Sequence, residues 1–168
     1  MPGPPTRPAP DAMPDPSTVA AATWARLGEL FAVDPYANRI GAVIGHWAPG
    51  TATVTWTADT VAVNFAGGVH GGAIFSLADV ALSVGCNAWG RVCVALKVDI
   101  ELLAPPAVGD VLTAVCTERA RRRQIGAYDI AVTGPGGTLV ASCSALAFRT
   151  PRWHLGEDAW PEAWRAAV

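Results

Sequence analysis

The sequence has little charge, a single lysine and no long apolar run, and these shortages exclude whole classes of protein. Charged residues make up only 15% of the 168 residues and the formal net charge is −2, so no basic field is present to attract nucleic acid. No apolar run is long enough to cross a bilayer, and the N-terminus lacks the basic and then apolar layout of a signal peptide. We therefore expect a cytoplasmic protein with no nucleic-acid partner and no membrane partner.

Several chemical motifs are also missing. The four cysteines, at positions 86, 93, 116 and 143, form no CxxC pair, so structural zinc is not expected and reduced thiols are the simpler interpretation. The patterns GxSxG, GxGxxG and the P-loop do not occur, which argues against a serine hydrolase and against dinucleotide or nucleoside-triphosphate binding. We expect no metal and no cofactor.

The length fits one domain with flanking segments. Residues 1–17 contain seven prolines and are predicted to form a disordered arm. The folded domain is predicted over residues 18–150. Residues 151–168 form a tryptophan-rich tail with a short helix near 157–166, which either packs on the sheet or closes over a pocket. An apolar content of 51% suggests that some surface is buried between subunits.

Periodicity predicts a first helix, a long central helix and several strands. Ser17 or Thr18 is expected to cap a helix that runs to about Val33, followed by a strand over Ile40–Trp47. In Thr51–Thr57, threonines alternate with Ala, Val and Trp, which indicates a strand with one buried face. Further strands are predicted near 92–103, 110–119, 125–133 and 138–149.

The central helix, predicted over residues 71–89, is apolar or small on almost every side, as is typical of a helix buried all round. Its polar residues Ser76, Asp79, Ser83 and Asn87 follow one another at spacings of three, four and four, and so share one stripe. Serine and asparagine often bond the helix backbone one turn back, which leaves a structural role open for them. Burying a lone carboxylate is costly unless partners compensate, so we interpret Asp79 as functional, with a structural aspartate as the alternative.

The glycine-rich loop NFAGGVHGG, residues 64–72, runs into this helix. The first helical amides have no partner within the helix and carry partial positive charge, so they can bind phosphate or polarise a carbonyl oxygen. Gly71 and Asp79 are about 12 Å apart along one helix, whereas reacting groups must lie within roughly 3–3.5 Å. If both residues act on one bond, the site must combine two chains.

The stretch NFAGGVHGGAIFSLADVA resembles the signature of hotdog-fold acyl-CoA thioesterases, in particular the PaaI-like phenylacetyl-CoA thioesterases. The segments LKVDIELLAPPAVGD and QIGAYDIAV resemble strands of the same family, and the likeness covers about residues 27–149. It implies an α+β hotdog fold, in which a curved antiparallel sheet wraps a long central helix. It also implies a homodimer as the minimal active unit, pairing further into a homotetramer, and an acyl-CoA substrate that favours aryl-acetyl groups.

The resemblance implies roles for individual residues. The backbone N–H of Gly71 would donate to the thioester oxygen, and Asp79 of the partner subunit would attack the carbonyl as a nucleophile or activate water as a general base. Asn64 and His70 would orient the loop, the substrate or the water, although His70 could instead be a helix cap without a chemical role. Gly72 is assigned to substrate binding.

One position departs from the family pattern. Related enzymes often carry Ser or Thr near the start of the strand after the central helix, where this chain has Ala95. Ser83, Asn87 or a shifted neighbour would then supply the hydroxyl that holds the attacking water, or the role is absent. We assign Ser83 to the substrate-binding residues on this basis.

A basic cluster precedes QIGAYD and consists of Arg119, Arg121, Arg122 and Arg123. Arginine forks suit the phosphates of coenzyme A, so we assign Arg121, Arg122 and Arg123 to substrate binding. A solvated hairpin tip is the alternative interpretation.

Two other functions stay open at this point. A hotdog enoyl-CoA hydratase would use a His with a carboxylate in a pattern such as Asp-x-Asn-x-x-His, which does not occur here. A non-catalytic acyl-CoA-binding module could dispense with Asp79. The sequence does not decide which acyl group is bound, nor whether Asp79 forms an anhydride or acts as a general base.

Overall fold

The computed structural model describes residues 14–168, so the first thirteen residues of the predicted arm lie outside the described part. Within this range the helices are α1 (Ala21–Ala32), α2 (Pro35–Ile40), α3 (Gly71–Asn87) and α4 (Glu162–Ala167). The strands are β1 (Val43–Ala48), β2 (Thr51–Thr57), β3 (Arg91–Leu102), β4 (Val111–Arg122), β5 (Ile125–Thr133) and β6 (Leu139–Trp153). Short 3-10 turns lie at Pro16–Thr18, Thr60–Ala62, Pro135–Gly137 and Glu157–Ala159.

The six strands form one antiparallel sheet in the order β1-β2-β4-β5-β6-β3. The alternation predicted for β2 is present, since Ala52, Val54 and Trp56 are buried while the threonines between them are only half-buried. Strands β4 and β5 bury alternate residues in the same way. These inward faces pack on α3, and the core they form extends to Leu27 and Phe31 of α1 and to the tail tryptophans.

Helix α3 is buried along most of its length, as its composition predicts. Leu77, Ala81 and Leu82 are almost completely shielded from solvent. By contrast, Asp79 is half-buried and Ser83 is exposed. The middle of the polar stripe therefore lies on the side of the helix that the sheet leaves uncovered.

The start of the first helix differs from the prediction. Helix α1 begins at Ala21, and its N-cap residue Ala20 makes no side-chain capping bond. Ser17 and Thr18 lie instead in a preceding 3-10 turn, where Asp15 accepts a hydrogen bond from the Ser17 amide at 2.9 Å. The predicted capping residues were wrong because Asp15 caps a separate 3-10 turn that contains both Ser17 and Thr18.

The first strand also begins later than predicted, because residues 35–40 form helix α2. Asp34 accepts hydrogen bonds from the Tyr36 and Ala37 amides at 2.8 Å, and Pro35 suits the first helical position. Gly41, with φ of +73°, then ends the helix in the left-handed conformation. The Asp-Pro pair that ends α1 therefore also starts a second helix, and β1 follows it.

The tail packs against α1 and the C-terminal end of α3. Trp160 and Trp164 are buried, and the Trp164 indole donates to the Trp89 carbonyl oxygen at 3.1 Å. The Trp24 ring of α1 meets both tail rings edge-on, with centroids 5.3 and 5.5 Å away. The tail thus lies about 25 Å along α3 from the glycine-rich helix start, so it does not close over that end.

All four cysteines are free, buried thiols. Burial raises the pKa of Cys116 to about 12 and that of Cys143 to about 11. Thiols with such pKa values stay protonated near neutral pH and are poor nucleophiles, so they belong to the core packing. Among residues 14–168, no helix is both long and apolar enough to cross a membrane.

Candidate active site

The start of α3 is fixed by His70. Its Nδ1 atom accepts a hydrogen bond from the Gly72 amide at 2.8 Å, which makes His70 the N-cap of the helix. Its own amide donates to the Ala62 carbonyl oxygen at 2.7 Å. His70 therefore has the geometry of a helix cap, and it also faces the cavity described below.

Asn64 orders the glycine-rich loop from within. Its Oδ1 atom accepts hydrogen bonds from the Ala66 amide at 2.9 Å and the Gly68 amide at 3.3 Å. The backbone N–H of Asn64 donates to the Gly68 carbonyl oxygen at 2.8 Å, and this bond closes the loop. The predicted role in orienting the loop is consistent with these bonds, while contact with substrate or water stays a prediction.

The amide of Gly71 is the open donor at this helix start. The Gly72 amide is already bonded to His70, whereas no acceptor for the Gly71 N–H is found among residues 14–168. A side chain here would crowd Leu102 of β3, since a Cβ atom on Gly71 would lie 2.6 Å from Leu102 Cδ1. Glycine therefore fits at this position beside the sheet, and its N–H lies at the partly positive end of the helix.

Asp79 lies two turns further along α3 and is half-buried. Within the described part of the chain, its carboxylate makes no hydrogen bond or ion pair. A structural aspartate, the alternative interpretation, would have such a partner. Burial raises the pKa of this carboxyl group. Among residues 14–168, no three His, Cys, Asp or Glu side chains come close enough together to hold a metal ion. No polar group of residues 14–168 therefore compensates the partial burial of this carboxylate.

Asn87, at the end of the polar stripe, has a structural role. Its Nδ2 atom donates to the Ser83 carbonyl oxygen at 2.9 Å, and its Oδ1 atom accepts from the Cys93 amide at 2.8 Å. His154, the first residue after β6, is also hydrogen-bonded to Asn87, with its Nε2 atom 2.8 Å from Asn87 Oδ1. Local sequence patterns could not reveal this hydrogen bond, because the two residues are 67 positions apart.

Ser83 on α3 is the remaining candidate for the hydroxyl that Ala95 of β3 does not supply. Ala95 pairs with Ala147 of β6, beside an irregularity in β3. Asn87 is fully engaged by backbone and His154, so it is a poor candidate to hold water. Ser83 lies one turn after Asp79 and is exposed. Its predicted role, supplying the hydroxyl that holds the attacking water, stays a prediction.

A cavity of about 390 Å³ adjoins the start of α3. One wall comes from α2 and Trp56 of β2, another from the loop at 59–63, and a third from the first two turns of α3. Alternation in β2 indicated that Trp56 faces inward. Tyr36 of α2 was missed, because this short helix gives almost no periodic signal.

The arginine cluster is divided by the fold. The Arg121 side chain is only 9% exposed, lies 3.8 Å from the centroid of the Trp89 ring, and forms an ion pair with Glu118 at 4.0 Å. Arg122 and Arg123 are exposed at the hairpin between β4 and β5. Of the three arginines assigned to substrate binding, Arg122 and Arg123 are therefore the accessible ones. Their contact with the phosphates of coenzyme A stays a prediction.

Solved structures share this architecture. The structure of the E. coli PaaI protein from the phenylacetic acid degradation operon matches with a TM-score of 0.72 and 33% identity, over 76% of this chain and 93% of that chain. A hypothetical thioesterase protein from Streptococcus pneumoniae TIGR4, solved with coenzyme A, matches with a TM-score of 0.63 and 26% identity, over 65% and 88% of the two chains. The predicted α+β hotdog fold, a curved antiparallel sheet around a central helix, is confirmed.

Sequence comparison identifies the family. The model of the thioesterase superfamily matches residues 66–141, which include the glycine-rich loop and α3. The acyl-coenzyme A thioesterase PaaI of Escherichia coli (strain K12) is 35% identical over 118 residues, covering 70% of this chain and 84% of that relative. The chain therefore belongs to the PaaI-like branch of the thioesterase superfamily and is a thioester hydrolase.

The free amide of Gly71 can be removed by one substitution. Proline fits the first position of a helix, and His70 before it already has extended backbone angles, so Gly71→Pro deletes the N–H while the helix start is kept. We expect the turnover number for thioester hydrolysis to fall by about 10²–10³, the usual effect of losing one oxyanion donor. Steady-state thiol release measures it.

The matched control is Gly71→Ala, which adds a Cβ atom but keeps the N–H. Because both variants crowd Leu102, each is also made with Leu102→Ala. Equal activities of the proline and alanine variants would show that the Gly71 amide is not the oxyanion donor.

Proposed function

We propose that this thioesterase hydrolyses acyl-CoA thioesters to a free acid and coenzyme A, with phenylacetyl-CoA or a related aryl-acetyl-CoA as substrate. The observation that carries the proposal is the pairing, on one helix, of a free amide at Gly71 with an uncompensated carboxylate at Asp79. The PaaI relative is named an acyl-coenzyme A thioesterase, and its structure is described as part of a phenylacetic acid degradation operon. The S. pneumoniae thioesterase was solved with coenzyme A, which supports the same leaving group.

A second subunit completes the proposed site. Gly71 and Asp79 are about 12 Å apart on α3, too far to act on one carbonyl group. Within residues 14–168, strand β3 is at the edge of the sheet and pairs only with β6, so its other edge carries no strand of this part of the chain. Val94 and Leu96 are 48% and 56% exposed on this edge strand, and a long apolar edge favours pairing with another strand. These features support a homodimer joined near β3, and a homotetramer would be a pair of such dimers.

The mechanism follows from the two groups. The thioester oxygen lies at the start of α3, where the Gly71 N–H stabilises the negative charge that develops during attack. Asp79 of the partner subunit either takes a proton from the attacking water or adds to the carbonyl carbon itself. Collapse of the tetrahedral intermediate expels the coenzyme A thiolate, which then takes up a proton. In the second route, water hydrolyses the resulting anhydride.

We expect Asp79→Asn to lower thiol release from aryl-acetyl-CoA by about 10²–10⁴, because it removes the base or nucleophile. The assay is run on a panel of aryl- and alkyl-CoA thioesters, with sedimentation to follow the oligomer. Asp129→Asn, which changes an exposed carboxylate on β5, is the control and should leave the rate unchanged.

Other results would favour the competing functions. Wild-type protein that binds the thioesters without releasing thiol would indicate an acyl-CoA-binding module. Hydration of an enoyl-CoA in the same preparation would indicate a hydratase.

A site shared between subunits can be tested by mixing two inactive variants. In a heterodimer of Asp79→Asn and Gly71→Pro chains, one site combines the intact Gly71 of the first chain with the intact Asp79 of the second. Random pairing makes half the dimers hybrid with one good site in two, so we expect recovery of about one quarter of wild-type activity. Co-expressed and co-purified chains are assayed for thiol release, and each variant purified alone is the control. No recovery in verified heterodimers would contradict the shared site.

Burial of Asp79 also predicts a pH-dependent cost to stability. Because burial raises the pKa of its carboxyl group in the folded state, ionisation opposes folding once the pH exceeds the ordinary aspartate value of about 3.9. Asp79→Asn should therefore raise the melting temperature at neutral pH, with the difference disappearing at about pH 3. Calorimetry at the two pH values measures this. A lower melting temperature for the variant at neutral pH would mean that the carboxylate is a structural partner instead.

A further inference from the structure

Helix α2 forms a wall of the cavity next to the proposed oxyanion donor. It precedes residues 66–141, the part of the chain that matches the superfamily. Tyr36 from α2 lines the cavity together with Gly72 and Ser76 of α3. Helix α2 is held at its start by Asp34, so the position of Tyr36 is set from the backbone outward.

A chain of hydrogen bonds connects the two walls. Tyr36 Oη lies 2.7 Å from Ser76 Oγ, and Ser76 Oγ donates to the Gly72 carbonyl oxygen at 2.9 Å. Because the serine proton is used in the bond to Gly72, the tyrosine hydroxyl is the donor in the first bond. Tyr36 is thereby tied to the helical turn that begins with Gly71.

The hydrogen bond to Ser76, and not core packing, orients the Tyr36 side chain. It is 52% exposed, so burial in the core does not fix it. Trp56 and Ile40 supply apolar surface to the same cavity, and the tyrosine ring extends that surface outward. The bond to Ser76 holds this partly exposed ring at one side of the cavity.

We propose that Tyr36 is a specificity-determining residue of this thioesterase, whose ring, anchored through Ser76 to the start of α3, limits the length of the acyl group that the cavity accepts. The proposal rests on the proposed function, because it assigns the cavity to the acyl group of the thioester. A compact aryl-acetyl group packs against the Tyr36 ring, whereas a longer alkyl chain is blocked by it.

The test compares kcat/KM for phenylacetyl-CoA with kcat/KM for decanoyl-CoA in wild type, Tyr36→Ala and Tyr36→Phe. Tyr36→Ala removes the whole ring, and we expect the ratio to shift at least about tenfold towards decanoyl-CoA, because even one methylene more or less in an apolar pocket changes selectivity by about tenfold or more. Tyr36→Phe keeps the ring but loses its anchor, so KM for phenylacetyl-CoA should rise by about 2- to 10-fold, the range of one neutral hydrogen bond, with little change in kcat.

Two further variants separate specificity from folding. Ser76→Ala removes the same anchor from the other side, and combined with Tyr36→Phe it should add little to either single effect. Asn38→Ala is the matched control on α2, because Asn38 bonds the Ala32 carbonyl oxygen at 3.1 Å and does not line this cavity. This control should leave the ratio unchanged.

Each outcome decides a different claim. An unchanged ratio in both Tyr36 variants, with wild type active on phenylacetyl-CoA, would overturn the role of Tyr36 and leave the proposed function standing. A shift of the same size in Asn38→Ala would also overturn it, since any loosening of α2 would then suffice. Absence of thiol release by wild type from every acyl-CoA would instead remove the proposed function itself.

Discussion

The burial of α3 by the curved sheet is the constraint on which the rest of the molecule depends. Leu77, Ala81 and Leu82 are almost fully shielded, and the inward residues of β2, β4 and β5 surround them. A helix enclosed in this way must bond every backbone group internally or at its ends. Its polar side chains either find partners inside the protein, as Asn87 does, or lie where the sheet does not reach, as Asp79 and Ser83 do.

Both proposed reactive groups follow from this enclosure. At the helix start, His70 caps the Gly72 amide and leaves the Gly71 amide open, while the partly positive end of the helix favours an oxyanion beside it. Two turns later, partial burial makes the Asp79 carboxylate more basic. The rigidity of one helix also keeps the two groups about 12 Å apart, which is the physical reason for proposing a site made by two chains.

Helix α2 and the tail stabilise opposite ends of the central helix. The Tyr36–Ser76–Gly72 chain connects α2 to the start of α3, next to the cavity. At the other end, Asn87 and the tail tryptophans fill the space around Trp89. The proposed substrate selection by Tyr36 thus concerns the end where the cavity lies, while the tail packs at the other end.

The amino-acid sequence by itself determined the central helix and the strands with one buried face, because periodicity and composition act over neighbouring positions. It also marked Gly71 and Asp79 as candidate reactive residues, and their roles stay a prediction. The same local rules could not reveal the bond between Asn87 and His154 or the burial of Arg121 against Trp89, which join residues distant in the chain. They also missed α2, where an Asp-Pro pair both ends one helix and starts another. Only the tertiary structure decided which amide stays free and which side chains wall the cavity, since both depend on contacts between separate elements.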